Sequence, residues 1–462
     1  MTALLAPDPT DTDRDRRLRA AAMRVLLANW TGSGTVPSRS LYPHQWSWDS
    51  AFIAIGLRHL SPRRAQRELE SLLGAQWLDG RVPHIVFNPA VPSHAYFPGP
   101  GFWRSSTAGR RAGAPAGVQT SGIVQPPVHA LAAWLVHRAD PGESRRRGFL
   151  ARVLPALEAW HRYLETHRDL GGQGLAAVVH PWEPGLDNSP CWDRPLLRVT
   201  PAPAGSFRRA DLVHASAADR PTDLDYARYV GLAAAYRDRG YQDHGRGDHG
   251  HGDAGVSGAR PSFAVEDPGF NALLIASEHA LADIAEALGA DASAPRRRAR
   301  RLTDALVRRL WDRERGVFAA RDLGDGALLP VTAVNGLLPL IVPGLPADVA
   351  GALGATLAGE HFRLGEVHMV PSYDLTGPQF DAGRYWRGPS WFNTAWLIHR
   401  GLRATGATEP ADRLRAGILH DAGATGFAEY VDPYTGEGHG IRDFSWTAAL
   451  TLDLLTDPED TR

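Results

Sequence analysis

The chain has 462 residues, a formal net charge of −1, 43% hydrophobic and 22% charged residues, the composition of an ordinary globular protein able to bury a large core. All fifty of its Lys-plus-Arg residues are arginine, which excludes Schiff-base lysine chemistry and the P-loop lysine of nucleotide-binding enzymes. No run approaches the roughly 18 apolar residues of a membrane span, and the early apolar run from Ala3 to Ala6 is too short for a signal peptide, so a cytoplasmic protein with no membrane partner is expected.

In chain order, an apolar stripe at helical spacing (Leu18, Ala22, Val25, Leu26) predicts a helix from Asp15 to Trp30. Asp49 to Leu60 follows, then Arg63 to Trp77, introduced by Ser61 as N-cap and Pro62 at the first helical position. Further helices are predicted at Val124–Arg138, Gly148–His167, Leu224–Arg237, Phe270–Leu288, Pro295–Trp311, Ala333–Ile341, Ala347–Ala358, Ser390–Ala404, Pro410–Ala422 and Phe444–Leu455. Strand signals are confined to Val82–Phe87 and Leu175–Val179. The arginine runs Arg145–Arg147 and Arg296–Arg298 fall in these helical patterns and read as solvated faces, not as a nucleic-acid footprint. The single cysteine, Cys191, cannot make an internal disulfide and reads as a packed thiol.

About a dozen helices with almost no strand make the protein all-α and exclude a doubly wound sheet or a propeller. No change of composition divides the helices into two cores, so residues 1–462 are expected to form one domain. Residues 238–261 are a Gly/Asp/His-rich insertion with too little apolar content to pack. Its His244, His249 and His251, interleaved with Asp243, Asp248 and Asp253, have metal-ligand chemistry but no rigid element to fix their geometry, so no metal and no cofactor are predicted. Residues 88–117, rich in Pro and Gly, are expected to cover a pocket as a lid. Four helix starts share a polar or aromatic lead-in, at Trp48-Asp49, Asp267-Pro268, Ser390-Trp391 and Ser445-Trp446. A repeated helix pair explains this, pointing one end of each unit toward a common rim in a toroid of inner and outer helices.

Tryptophan and tyrosine gather beside carboxylates in segments that are not amphipathic: 42–49, 180–193, 385–391 and 427–430. Indole faces stack on the C–H faces of a sugar ring while carboxylates accept from its hydroxyls, so the pairing points to carbohydrate. Glycoside hydrolysis further needs two carboxyl groups flanking the scissile bond. Asp187, in a Gly/Pro-bounded loop beside Glu183 and Asp193, is a candidate general acid whose like-charge neighbours would keep it protonated. Glu429 is the candidate partner, although Asp187-Asn188-Ser189-Pro190 reads equally as a structural Asx-type turn.

The motifs together resemble glycoside hydrolase family 63, in particular its short bacterial mannosylglycerate and glucosylglycerate hydrolases. The resemblance is carried by Trp46-Ser-Trp48-Asp49, Tyr96-Phe-Pro-Gly-Pro100, Thr120-Ser-Gly-Ile-Val-Gln125-Pro-Pro127, Glu183-Pro-Gly-Leu-Asp187-Asn-Ser-Pro190, Arg220-Pro-Thr-Asp-Leu-Asp-Tyr226, Tyr385-Trp-Arg-Gly-Pro-Ser-Trp391 and Glu429-Tyr-Val-Asp-Pro-Tyr-Thr-Gly436. It implies an (α/α)6 barrel and an inverting hydrolase acting on a hexose α-linked to glycerate, with Asp187 as acid and Glu429 as base. It also implies a sugar subsite of Trp46, Trp48, Asp49, Gln125, Gly185, Tyr385, Trp386 and Trp391, with Tyr42, Tyr96, Arg220 and Tyr226 on the glycerate side. An inverting pair stands roughly 6.5 to 9.5 Å apart, leaving room for water.

Two features depart from the family pattern: Pro184, where a hydroxyl residue is expected, and the length of the 238–261 insertion. The first could shift substrate choice; the second should leave the chemistry alone. Glucose and mannose are not separated by any motif, and a homo-oligomer is left open. A trehalase-like or oligosaccharide α-glucosidase activity is the alternative among hydrolases. Outside that class stand a sugar epimerase or isomerase using His44, His129 or His180, and a non-catalytic sugar-binding toroid.

Overall fold

The computed structural model describes residues 9–93, 95–209, 212, 218–243 and 262–456, with side chains from residue 13 onward. Helices run α1 Pro9–Ala28, α2 Ser47–Leu57, α3 Pro62–Leu73, α4 Pro100–Trp103, α5 Ser105–Ala108, α6 His129–Ala139, α7 Pro141–Arg147 and α8 Phe149–His167. There follow α9 Asp193–Leu196, α10 Asp223–Asp238, α11 Pro268–Ala287, α12 Ser293–Leu310, α13 Ala347–Ala358, α14 Phe392–Ala404, α15 Thr408–Thr425 and α16 Ser445–Thr456. Their starts obey capping chemistry. Arg64 N donates to the Ser61 hydroxyl at 3.3 Å ahead of α3, and Phe270 N donates to Asp267 Oδ1 at 2.7 Å ahead of α11.

Two kinds of helix are distinguished by burial. In α2 every residue is buried, and in α16 Ser445 to Leu454 are all buried, as befits helices enclosed on every side. By contrast α3 and α12 each bury one stripe and expose most of their arginines. Contacts among the enclosed elements close a ring: α2 on α6, α6 on α11, α11 on the segment Leu338–Ile341, that segment on α14, α14 on α16, and α16 back on α2. Outside it, α1 lies on α16, α3 on α2, α8 on α6 and α11, α12 on α11, and α15 on α14 and α16. The sixth outer helix, α13, reaches the ring through the strand Val317–Phe318. The chain is thus an (α/α)6 barrel, and α10 stands outside it, against α4 and α5.

Within the ring, Asp453 ties three inner helices, accepting from Arg58 at 2.9 Å, His59 at 2.8 Å and the Trp396 indole at 2.9 Å. Burial pushes this carboxyl up, but Arg58 and His59 overcome it and hold it at about 2.

Several predicted elements need correction. Ala333–Ile341 is not a helix but two short 3-10 turns, Val334–Gly336 and Leu338–Ile341, because Pro339 cannot donate to a continuing helical ladder. Helix α6 begins at His129, not Val124, since Pro126 and Pro127 hold the preceding residues extended. The 88–117 segment is not plain loop: it contains α4, α5 and a 3-10 turn at Arg110–Ala112. Trp103 from this segment lies in the core and donates to Pro98 O at 3.0 Å. Strands at Ser390–Trp391, Tyr430–Val431 and Gly438–His439, which periodicity did not suggest, form one antiparallel sheet. Of the histidine-rich insertion, His244, Asp248, His249, His251 and Asp253 lie outside the described residues. Asp243 is described, its side chain buried against Arg168 Nε at 3.2 Å and accepting from the Tyr236 hydroxyl at 2.7 Å. Cys191 is free and buried, its thiol pushed up to about 12 by burial.

Candidate active site

At one end of the barrel, the connections and first turns of the inner helices surround a pocket of about 880 Å³, open to solvent at its mouth. All fourteen residues singled out above line it: Asp187, Glu429, Tyr42, Trp46, Trp48, Asp49, Tyr96, Gln125, Gly185, Arg220, Tyr226, Tyr385, Trp386 and Trp391.

One wall comes from the start of α2. Trp46 ends a two-residue strand paired with Ile85–Val86, and Trp48 and Asp49 fill the first turn of the helix. The Trp48 amide donates to Gln125 Oε1 at 3.2 Å, tying these two sugar-facing candidates together. Burial raises Asp49 well above the usual carboxylate range, so it favours the protonated form. The opposite wall is aromatic: Trp386 and Trp391 stack with centroids 3.9 Å apart, and Trp391 stacks on Tyr430 at 4.6 Å. Tyr385 sits at φ +37°, an unfavourable conformation for a tyrosine, and its carbonyl is held by the Trp391 indole N–H at 3.0 Å.

Glu429 lies at the entry to the Tyr430–Val431 strand, which is why that small sheet matters: it fixes the carboxylate against Tyr385 and Tyr42. The side chain is only 2% exposed. Tyr42 donates to Oε1 at 3.0 Å, Tyr385 donates to the same oxygen at 3.4 Å, and the Ile441 amide donates to Oε2 at 3.3 Å. Burial raises Glu429 above the ordinary glutamate value; Arg220 and these donors pull the other way without cancelling it. A buried carboxylate with raised basicity suits a general base.

Asp187 stands in a loop pinned from several sides. Tyr229 of α10 donates to its carbonyl at 2.6 Å, Trp386 N donates to Asn188 Oδ1 at 2.9 Å, and Trp192 donates to Leu186 O at 2.6 Å. Gly185, at φ +75°, lies so close to Trp48 that an added Cβ would meet the indole at 2.4 Å. The like-charge argument for Asp187 requires correction. Glu183 is held by both terminal nitrogens of Arg168 at 2.7 Å, and Asp193 is paired with Arg387, so each has a cation partner that weakens its push on the acid candidate. Pro184 lies in the same turn but does not line the pocket.

On the remaining side, Arg220 is 4% exposed, with its guanidinium 4.4 Å over the Tyr385 ring and Nη1 donating to Tyr42 at 3.3 Å. Its Nε and Nη2 have no partner among the described residues. Two parallel donors buried without an acceptor fit a carboxylate. Tyr226 donates to Phe97 O at 3.3 Å, joining α10 to the 88–117 segment, whose Tyr96, Phe97 and Pro98 line the pocket. Tyr96 meets Trp46 edge-on at 5.3 Å.

His84, Trp182, Phe444 and Trp446 also line the pocket, and sequence reasoning had not placed them there. Trp182 and Trp446 stood within the motifs already quoted, and a site reading confined to acid neighbours passed over them. His84 carried a signal as the one polar side chain in an apolar strand-like run. His44, His129 and His180 do not line the pocket; burial lowers them to about 4, 4 and 3, and each ring is engaged locally. No group of three or more His, Cys, Asp or Glu with metal-binding geometry occurs among the described residues, and no described helix is long and apolar enough to cross a membrane.

Comparison with known proteins bears on this geometry. Residues 42–447 match the model of the mannosylglycerate hydrolase MGH1-like glycoside hydrolase domain. The chain is 43% identical to mannosylglycerate hydrolase from Rubrobacter radiotolerans, over 95% of this chain and 97% of that one. It is 38% identical to glucosylglycerate hydrolase from Mycolicibacterium hassiacum, over 97% and 99%. Its structure superimposes with a TM-score of 0.82 on the GH63 mannosylglycerate hydrolase from Thermus thermophilus in complex with Tris and D-glycerate, at 38% identity, covering 94% of this chain and 99% of that one.

Proposed function

Since the chain belongs to the mannosylglycerate hydrolase MGH1-like glycoside hydrolases of family 63, we propose that it hydrolyses a hexosyl glycerate, glucosylglycerate or mannosylglycerate, to hexose and glycerate with inversion at the anomeric carbon. The observation that carries the substrate is Arg220, a buried guanidinium with two donors unpartnered among the described residues, in the same pocket as Asp187 and Glu429. A glycerate carboxylate supplies the two oxygens those donors lack. Trehalose, which has no charged aglycone, would leave them buried and unpaired, at a cost of about 1–3 kcal/mol for each group.

In this reading the hexose lies between the wall of Trp46 and Trp48 and the wall of Trp386, with Asp49 and Gln125 binding its hydroxyls. Asp187 protonates the glycosidic oxygen as the bond to the anomeric carbon breaks. Glu429 deprotonates water, which attacks the anomeric carbon from the opposite face, and the hexose leaves with inverted configuration. Tyr42 and Tyr385 hold the base in one orientation. Residues 88–117 act as the lid, its inner face made by Tyr96, Phe97 and Pro98, and residues 1–462 work as one catalytic domain.

The test is incubation of the purified protein with α-glucosylglycerate, α-mannosylglycerate and trehalose while the first-formed anomer is followed by NMR. Release of β-hexose together with glycerate is expected. First-formed α-hexose overturns inversion, and preferred cleavage of trehalose overturns the substrate.

A further inference from the structure

Arg220 stands between the two halves of the pocket. One face of its guanidinium is turned to Glu429 through a single intervening hydroxyl: Nη1 is 3.3 Å from Tyr42 Oη, which is 3.0 Å from Glu429 Oε1. The ring beneath it, Tyr385, also donates to Oε1. Arg220 Nε and Nη2 have no partner among the described residues, and Glu429 is the carboxylate whose charge acts on this guanidinium. The groups facing Glu429 are Tyr42 from the loop before α2, Asp49 from α2, Tyr385 from the 385–391 connection, Tyr430 from its own strand, and Arg220 from the segment before α10. Arg220 is the one cation in that set.

We propose that the substrate's own carboxylate tunes the general base through Arg220: by pairing with the guanidinium it cancels the positive charge that steadies Glu429 and makes that carboxylate a stronger base, so acidic aglycones are favoured in kcat as well as in KM. The inference rests on the functional reading above, which places glycerate on Arg220. Arg220 opposes the effect of burial on Glu429. The negative charge of a paired carboxylate offsets that opposition from the same side and makes Glu429 hold a proton more tightly. The Nη1-to-Oε1 path is at most the sum of two hydrogen bonds, so charges about 6 Å apart at an effective dielectric near 20 correspond to a rise of roughly 1 to 2 pH units. A base whose pKa lies nearer the working pH takes the proton from water more readily.

Two measurements test this. The first compares pH profiles for a hexosyl glycerate and the matching hexosyl glycerol, in which a hydroxymethyl group replaces the carboxylate. With the glycerate compound the acid limb of kcat should lie about 1 to 2 pH units above that of kcat/KM, whereas with the glycerol compound the two limbs should coincide. The second is calorimetric titration of D-glycerate in two buffers of different ionisation enthalpy. Wild-type protein should take up protons on binding as the pH falls through the bound-state pKa, and Glu429→Gln should bind glycerate without that uptake. Hydrolysis of both compounds with coincident limbs, and binding with no proton uptake, overturn the coupling while leaving the substrate reading intact. Failure to bind glycerate or to hydrolyse the glycerate compound overturns both.

Discussion

Replacing Gly185 with alanine should show whether the contact behind the acid loop sets the position of Asp187. The residue stands two positions before Asp187 at φ +75°, and a Cβ built there lies 2.4 and 2.5 Å from two indole carbons of Trp48, where ordinary contacts begin at 3.4 Å. Either the indole or the acid loop must therefore retreat by about 1 Å, the shortfall between those distances. Trp48 is itself held, edge-on against Trp446 at 5.4 Å and through its amide to Gln125, and the loop is pinned at Asp187 O and Leu186 O, so neither can yield without loss elsewhere. A left-handed alanine costs about 1 kcal/mol and overpacking about 1–3 kcal/mol more, so urea melts should show roughly 2–4 kcal/mol of destabilisation. A misplacement of about 1 Å at a reacting group costs on the order of 10²-fold in rate, so kcat for the hexosyl glycerate should fall by about that factor while the barrel stays folded. A folded Gly185→Ala protein with near-wild-type kcat would refute the claim that this contact sets the position of the acid.

Asp187→Asn and Glu429→Gln should each lower kcat by at least about 10²-fold, measured as glycerate release, with melting behaviour little changed; near-normal turnover in either removes that residue from the mechanism. Arg168→Met strips Glu183 of its buried cation and leaves Asp243 with Arg81 alone, and should cost about 3–5 kcal/mol in urea unfolding. Asp453 is held at about 2 against an ordinary value of 3.8, so its contribution is complete above about pH 4 and lost as pH falls toward 2. It is worth up to about 2 kcal/mol, and in melts between about pH 5 and pH 2 Asp453→Asn should show a correspondingly shallower decline. Limited proteolysis between residues 88 and 117 should slow on adding D-glycerate; cleavage that ignores the ligand argues for a static wall.

What could be read in the sequence followed from how each signal arises. Outer helices such as α3 advertise themselves by one apolar stripe, and inner helices such as α2 and α16 by apolar residues all round, so helix positions and the ring were legible. The residues 333–341 were not, because Ala, Val and Leu at helical spacing look alike whether a proline-interrupted turn or a helix buries them. The sheet that carries Glu429 was invisible because its strands are two residues long and set no period. Glu183 and Asp193 misled for another reason: proximity in sequence said nothing of Arg168 and Arg387, which reach them from 15 and 194 residues away. Of the fourteen residues singled out, ten sit in the four aromatic-rich segments that point to carbohydrate, whereas Tyr96, Gln125, Arg220 and Tyr226 were legible only through the resemblance to the family.

The Gly/Asp/His-rich tract is moored at both ends. Asp243 is clamped by Arg168 and hydrogen-bonded by Tyr236, and Val265–Glu266 is paired on both sides, with Ala177–Val178 and Arg321–Asp322. Whatever spans residues 244–261 thus starts and finishes at stations whose separation the barrel dictates. Halving or doubling the length of such a bridge alters its closure entropy by only about 0.6 kcal/mol. A change in the length of that bridge, by a grafted tag or a partner domain, should therefore cost the barrel little stability as long as Asp243 and Val265–Glu266 keep their anchors.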